Sequence, residues 1–107
     1  MVFKYGEREL CELGGGVKRK ILAEDTALMA VEVSFETGAV GAVHTHPHTQ
    51  ISYVLEGKFE AEIDGEKTVI TKGDTYYTKP GVSHGVVCLE RGTLLDVFTP
   101  RRDDFLK

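Results

Sequence analysis

The stretch that decides the fold is GAVGAVHTHPHTQISYVLEG, which covers residues 38–57. Three of the chain's four histidines fall within five residues of it, at His44, His46 and His48. Residues of equal parity point to the same side of an extended strand, so these imidazoles and Gln50 can share one face. Neutral imidazole is the commonest protein ligand for divalent transition metals, and the spacing therefore predicts a metal site.

The fourth histidine, His84, follows a second turn at Pro80-Gly81 and begins another predicted strand. A single histidine on a strand is usually an ordinary hydrogen-bonded residue, so His84 alone is weak evidence for a metal. The cluster is also compatible with a pH-responsive surface feature. The spacing of all four histidines together favours the metal site.

Strand-like segments surround these motifs, separated by twelve glycines and three prolines. Met29, Val31, Val33 and Phe35 alternate with polar or smaller residues, as in a strand with one buried face. Asp64-Gly65 predicts a type I′ hairpin turn, because this pair tolerates positive φ. Predicted strands cover residues 27–35, 50–55, 58–63, 68–71, 75–78, 85–89 and 92–99. This spacing is typical of an antiparallel sandwich or a small barrel with room for one small ligand.

The ends of the chain show weaker patterns. Residues 2–5 and 17–23 are predicted to form edge strands, and the tail after Pro100 to form a helical turn. We expect one all-β domain of 107 residues, because a chain of this length builds a single core. Its core barrel would cover about 27–99, with N-terminal edge strands in 1–26 and a C-terminal tail in 100–107.

Composition excludes several functions. With 13 basic and 17 acidic residues and a net charge of −4, the chain has no basic field for nucleic acid. No apolar run is long enough for a membrane span or a signal peptide, so we expect a cytoplasmic protein without a membrane partner. Cys11 and Cys88 form no CxxC pair and are expected to be free thiols that pack as small core residues.

The glycine and histidine spacing resembles the first motif of the cupin family. Gly38, His44, His46 and Gly57 stand at the motif's positions, and Gln50 stands where the family usually has Glu. The resemblance implies a small antiparallel double-stranded β-helix, the cupin or jelly-roll barrel, with a metal inside. Cupins commonly form homodimers, and we expect one here.

The second cupin motif is matched by Gly73 and His84, with ten residues between them, while Cys88 replaces the family's usual Asn. By matching positions, the resemblance implies that the metal ligands are His44, His46, Gln50 and His84. His48 is left over and is expected to be a rim or outer-shell hydrogen-bonding group. The face opposite to Gln50 carries Tyr53 and Leu55, which could line the dimer contact.

Three imidazoles and an amide are all neutral, so a bound divalent ion would keep its +2 charge. Such an ion attracts anionic substrates and acts as a Lewis acid. The set suits iron oxygenases less well, because their carboxylate ligand helps to stabilise higher iron states. The ion could be Zn, Ni, Mn, Fe or Co.

The last predicted strand carries a second group of candidate residues. Asp96 lies in the apolar run LLDVF, with Phe98 on the same face. A carboxylate there is either at a wet edge or inside with a partner, where burial raises its pKa. The charge pattern alone favours an edge aspartate followed by a solvated RRDD run. Arg101 or Arg102 could clamp a substrate carboxylate.

This C-terminal pattern resembles that of the pectin-degradation (KdgF-type) cupins. The resemblance implies that Asp96 is the catalytic acid or base and that Phe98 and Arg102 contact a small anionic substrate. Ser52, on the face of Gln50, is a further candidate for substrate contact. Members of the group convert unsaturated monouronates from the cyclic to the linear keto form without redox chemistry. A metal-dependent dioxygenase and a non-catalytic ligand-binding or sensor cupin remain alternatives.

Overall fold

The computed structural model describes residues 1–106, which form eight strands and two short 3-10 helices. The strands are β1 (Leu10–Gly14), β2 (Val17–Asp25), β3 (Leu28–Phe35), β4 (Val40–His44), β5 (Thr49–Ile63), β6 (Glu66–Thr71), β7 (Thr75–Thr78) and β8 (His84–Thr99). The helices are Tyr5–Glu7 and Asp103–Leu106, and the latter is called the C-terminal turn below. Neither has the length and apolar character that crossing a lipid bilayer requires.

All strand pairs are antiparallel, in the order β1-β2-β3-β8-β5-β6, with β4 added to β8 and β7 added to β5. The long strands β5 and β8 pair along their whole lengths and exchange neighbours halfway. In one half, residues 49–54 of β5 pair with β7, and residues 92–99 of β8 pair with β3. In the other half, residues 58–63 of β5 pair with β6, and residues 84–87 of β8 pair with β4. The predicted all-β barrel is confirmed.

Two predicted strand breaks are wrong, because β5 and β8 continue through residues 56–57 and 90–91. The pairing of the two strands instead shifts register there, between Val54 and Phe59. A Cβ atom on Gly57, whose φ is 88°, would lie 2.5 Å from the Gly92 Cα atom. A Cβ atom on Gly92 would collide with the Glu56 carbonyl oxygen. Glycine is therefore required here by the close approach of two backbones, not by a loop.

The predicted hairpin at Asp64-Gly65 is confirmed, with φ values of 50° and 82°. At the N-terminus, residues 2–5 do not form a strand, and the first strand is β1, at Leu10–Gly14. All five residues of β1 are exposed. A strand with no buried face shows no apolar alternation, which is why the sequence pattern did not indicate it.

The barrel interior is apolar at most positions. Met29, Val31, Val33 and Phe35 all point inward, as predicted, and Phe35 packs edge-on against Phe59 with ring centroids 5.3 Å apart. Both cysteines are free, and Cys88 is a core residue as predicted. Cys11 is exposed on β1, so its predicted place in the core is wrong. The buried polar residues are His46, Gln50, Ser52, Thr78 and His84.

Candidate metal centre

Three histidines meet inside the barrel. His44 ends β4 and pairs across the sheet with His84, which begins β8, while His46 lies in the loop after β4. One possible ligand atom from each ring lies within 4.8 Å of the others. His46 and His84 are buried and His44 is exposed. The cluster predicted from the spacing is therefore present.

Backbone hydrogen bonds fix the tautomers of two of these rings. His44 Nδ1 donates to the Ala42 carbonyl oxygen at 2.8 Å, and His84 Nδ1 donates to that of Val82 at 2.9 Å. A carbonyl oxygen only accepts, so each Nδ1 carries a hydrogen. Burial lowers the pKa of His84 and disfavours its second proton. The neutral rings therefore keep a lone pair on Nε2, the form that binds a metal.

Gln50 adds an oxygen to the cluster. Its Oε1 lies 2.8 Å from His46 Nε2 and 3.0 Å from His84 Nε2. Its Nε2 donates to Ser52 Oγ at 2.8 Å, which fixes the amide with its oxygen toward the imidazoles. The parity prediction for Gln50 and Ser52 is correct, because both side chains are buried on the inner face of β5.

The donor set fits a divalent metal. With Nδ1 of His84 protonated, its Nε2 lone pair faces the Gln50 oxygen at 3.0 Å, and neither atom can donate to the other. A cation shared by the two atoms would make this contact favourable. Three imidazole nitrogens and one amide oxygen are suitable ligands for transition metals from manganese to zinc. Burial also lowers the pKa of His46, which favours its metal-binding neutral form.

A hydrogen-bond chain joins this cluster to Asp96. Ser52 Oγ accepts from Gln50 and donates to Asp96 Oδ1 at 2.6 Å. Asp96 lies on β8 between β3 and β5, so the edge position favoured by the charge pattern is wrong. Burial raises the pKa of Asp96 to about 6, against the opposing effects of the Ser52 hydrogen bond and the Arg102 charge. Both protonation states are therefore accessible near neutral pH.

The hydrogen bonds of Ser52 indicate a different role from the one that the sequence predicted. The sequence made it a candidate for substrate contact, but its side chain is fully buried and its hydroxyl is engaged by Gln50 and Asp96. Ser52 therefore links the amide to the carboxyl group.

Tyr76 is a site residue that the sequence analysis missed. It pairs with Ser52 across β5 and β7, and its hydroxyl lies 3.5 Å from Gln50 Nε2. Burial, and then the charge of Asp96, raise the pKa of Tyr76, so the phenol stays protonated. The run Thr75-Tyr76-Tyr77-Thr78 gave no signal that distinguishes the inward tyrosine from the exposed one.

The C-terminal residues fold back over the site instead of forming the solvated charge run that the pattern favoured. The Arg102 side chain is only 13% exposed. Its guanidinium carbon lies 5.3 Å from the ring centroid of Phe98 and 4.3 Å from that of Phe105. Asp104 accepts hydrogen bonds from Arg102 Nη2 at 2.8 Å and from Nε at 3.2 Å. These contacts hold the C-terminal turn against the barrel mouth.

Two other candidates, Arg101 and His48, lie outside the three-histidine cluster. Arg101 pairs with Asp103 at 2.8 Å and with Glu24 at 3.7 Å and does not line the cavity, so of these two candidates Arg102 is the one at the site. His48 does not belong to the three-histidine cluster of the described residues. Its Nε2 lies 3.3 Å from the Arg101 carbonyl oxygen, and its ring packs against that of His46 with centroids 5.2 Å apart.

Most of the candidate residues line one cavity of about 150 Å³, and two that do not, His46 and Ser52, contact Gln50 in its wall. Its wall combines apolar core residues with imidazole, amide, phenol, carboxyl and guanidinium groups. The polar and aromatic lining consists of Arg19, Phe35, His44, Gln50, Tyr76, His84, Asp96, Phe98, Arg102 and Phe105. Arg19 and Phe105, like Tyr76, were not among the residues that the sequence indicated.

Known proteins resemble this chain in sequence and structure. Residues 31–98 match the Cupin_2 family, described as a cupin domain. The pectin degradation protein KdgF of Dickeya dadantii is 50% identical over 97 residues, which cover 89% of this chain and 88% of that protein. An RmlC-like cupin from Shewanella frigidimarina superposes with a TM-score of 0.93 at 46% identity, covering 96% of this chain and 94% of its own. KdgF from Halomonas sp. has a TM-score of 0.92 at 42% identity, covering 98% of this chain and 99% of its own.

Proposed function

Because this chain belongs to the cupin family and is similar to KdgF proteins over most of its length, we propose that it is a metal-dependent, non-redox enzyme of uronate metabolism. Its substrate is an unsaturated monouronate, released from pectin or alginate, which it converts from the ring to the linear keto form. The name of the Dickeya relative, a pectin degradation protein, supports this substrate class. The observation that carries the proposal is that three members of the neutral donor set, His44, Gln50 and His84, line one cavity together with Asp96 and Arg102.

In the proposal, His44, His46, Gln50 and His84 hold one divalent transition metal. When bound, the metal supplies Lewis acidity toward a substrate oxygen. The hydrogen bond from Gln50 to Ser52 keeps the amide oxygen directed at the imidazoles, so Ser52 orients this oxygen as a metal ligand. A neutral ligand set also leaves the site positive, which favours an anionic substrate over a neutral sugar.

Asp96 is the proposed proton-transfer group. Ring opening removes the proton of the hemiacetal hydroxyl, and formation of the ketone adds a proton to a carbon of the former double bond. A carboxyl group with a pKa of about 6 can accept the first proton and supply the second, so no net proton is required. The Ser52 hydroxyl, 2.6 Å away, holds the carboxyl group in place during both steps.

Arg102 and Phe98 are the proposed substrate contacts at the cavity wall. Arg102 lies over the Phe98 ring, so its guanidinium is held in one orientation by stacking as well as by Asp104. A guanidinium offers paired N–H groups that match a carboxylate. The apolar Phe98 ring provides a surface for the face of a sugar.

The proposal is tested by supplying unsaturated galacturonate to the metal-loaded protein and following loss of the absorbance of its conjugated double bond. We expect turnover by the wild type and none by His46→Ala, which removes a buried ligand. Arg91→Met, at an exposed arginine distant from the cavity, is the matched control and should retain activity. Equal rates for wild type and His46→Ala would refute the proposal. Oxygen consumption during the reaction would point to an oxygenase instead.

A further inference from the structure

Arg19 is a cation on the inner face of the barrel. It lies in the run Lys18-Arg19-Lys20 of β2. The two lysines contact residues at the outer surface, because Lys18 pairs with Glu12 at 3.7 Å and Lys20 lies 3.6 Å from the Tyr5 ring centroid. Arg19 has the opposite parity and lines the metal cavity.

The neighbours of Arg19 confirm this orientation. Its cross-strand partner on β3 is Val33, a core residue that is 8% exposed. Val17 and Ile21, two residues away on each side along β2, pack against the core. A single guanidinium therefore interrupts an apolar inner row, and it does so where the row borders the cavity that His84 and Asp96 also line.

Arg19 and Arg102 contact the same aromatic ring. The guanidinium carbon of Arg19 lies 3.9 Å from the Phe105 ring centroid, and that of Arg102 lies 4.3 Å from it. The two carbons are thus at most about 8 Å apart. Since Phe105 also packs edge-on against Phe98, this ring holds both guanidinium groups at the cavity mouth.

The two arginines differ in the hydrogen bonds that they already form. Arg102 donates to Asp104 from Nε and from Nη2. Within residues 1–106, Arg19 forms no ion pair and its side chain donates no hydrogen bond. No residue in 1–106 accepts a hydrogen bond from the Arg19 side chain, so its five N–H groups are available to a ligand. The side chain is also partly shielded from water.

We propose that Arg19 is a substrate-binding residue that, with Arg102, receives the carboxylate of an acidic sugar at the cavity mouth. The inference deepens the proposed function, from which it takes the substrate class. Arg19 contributes the open guanidinium edge, while Arg102 contributes the N–H groups that Asp104 leaves free. Two guanidinium groups on one carboxylate give discrimination against neutral sugars that a single, partly occupied arginine does not.

The test measures binding and needs no turnover. Galacturonate and galactose are titrated into metal-loaded wild type, Arg19→Met, Arg19→Lys and Arg91→Met by calorimetry. We expect wild type and Arg91→Met to prefer galacturonate. Arg19→Met should weaken galacturonate binding by about tenfold or more, since a charge-assisted hydrogen bond is lost, and should leave galactose binding unchanged. Arg19→Lys, which keeps the charge, should restore part of the preference.

Metal content and thermal midpoint are measured for each variant, because a merely structural role of Arg19 would change these and not the preference. Retention of the full preference by Arg19→Met would overturn the inference, as would a wild type that does not prefer galacturonate. If wild type binds galacturonate through Arg19 but does not convert unsaturated galacturonate, the proposed reaction fails and the role of Arg19 stands.

Discussion

At the scale of single residues, the site is organised by one amide. Gln50 presents its oxygen to His46 and His84 and its nitrogen to Ser52, which donates to Asp96. Glutamate at this position could not donate to Ser52 in its ionised form, and it would place a second negative charge near Asp96. The glutamine therefore serves two purposes: it keeps the proposed set of metal ligands neutral, and it completes a chain from Gln50 through Ser52 to Asp96 in which each hydrogen bond has a defined donor.

The raised pKa of Asp96 predicts how stability depends on pH. An unfolded aspartate titrates near its ordinary value of 3.8, whereas folded Asp96 titrates at about 6. Its burial therefore costs no stability below pH 4, and the cost grows between pH 4 and 6 and is complete above 6. In the metal-free protein, Asp96→Asn should be more stable than wild type above pH 6 by about 3 kcal/mol and equal to it below pH 4. Urea unfolding at a series of pH values measures this.

Asp104→Asn provides a control of opposite sign. The hydrogen bond from Arg102 lowers the pKa of Asp104, so its contribution to stability is present above its ordinary pKa and disappears as the pH falls through the lowered value. Asp104→Asn should therefore lose stability at neutral pH and match wild type in acid. A stability difference for Asp96→Asn that does not change between pH 4 and 7 would contradict the raised pKa.

At the scale of strands, the backbones of β5 and β8 approach each other most tightly at Gly57 and Gly92, where there is no room for a side chain. Gly92→Ala would place a methyl group against the Glu56 carbonyl oxygen and the Gly57 backbone, neither of which can rotate away. We expect a loss of about 3 kcal/mol in the free energy of unfolding, at the upper end for overpacking. Gly6→Ala, at a position with nothing within 4 Å, is the matched control and should change little. Equal unfolding midpoints for the two variants would show that the contact between Gly57 and Gly92 tolerates a side chain.

The same strands show what the sequence could predict. Alternation located β3, because every second residue from Met29 to Phe35 is buried. The Asp64-Gly65 pair located the hairpin, because these two residues tolerate the positive φ of the turn. The predicted breaks at 56–57 and 90–91 are wrong because Gly57 and Gly92 are needed for close backbone approach, and such a glycine has the same sequence signature as one needed for a turn.

The candidate site was predictable to the extent that it follows strand parity and motif spacing. These bring His44, His46, Gln50 and His84 to one place, as the structure also does, since their positions depend on local geometry and on the cupin motif spacing. They do not show that Asp96 lies between two strands, because an edge strand and a central strand can have the same composition. Nor do they show that the C-terminal turn brings Phe105 back to β2, a contact between residues 86 positions apart in the chain.

At the scale of the whole molecule, the two outer faces of the barrel differ in character. The face outside the metal cavity exposes apolar side chains on neighbouring strands: Ile51, Tyr53, Leu55 and Tyr77. The outer face of the other half of β5 carries Lys58, Glu60 and Glu62, and Glu62 pairs with Lys67 of β6. An apolar sheet face flanked by a charged one favours association through the apolar face.

A second copy of the chain is the occupant that we propose for this apolar face, because a flat sheet face can meet itself about a twofold axis. Light scattering at micromolar concentration should give twice the chain mass of 11.8 kDa. Tyr53→Glu would place two charges close together across the axis and should yield a monomer, while Glu60→Gln on the charged face should leave the dimer intact. Because Tyr53 points away from Gln50 and Ser52, the monomer should keep its metal affinity. A wild-type mass of 11.8 kDa would refute the dimer.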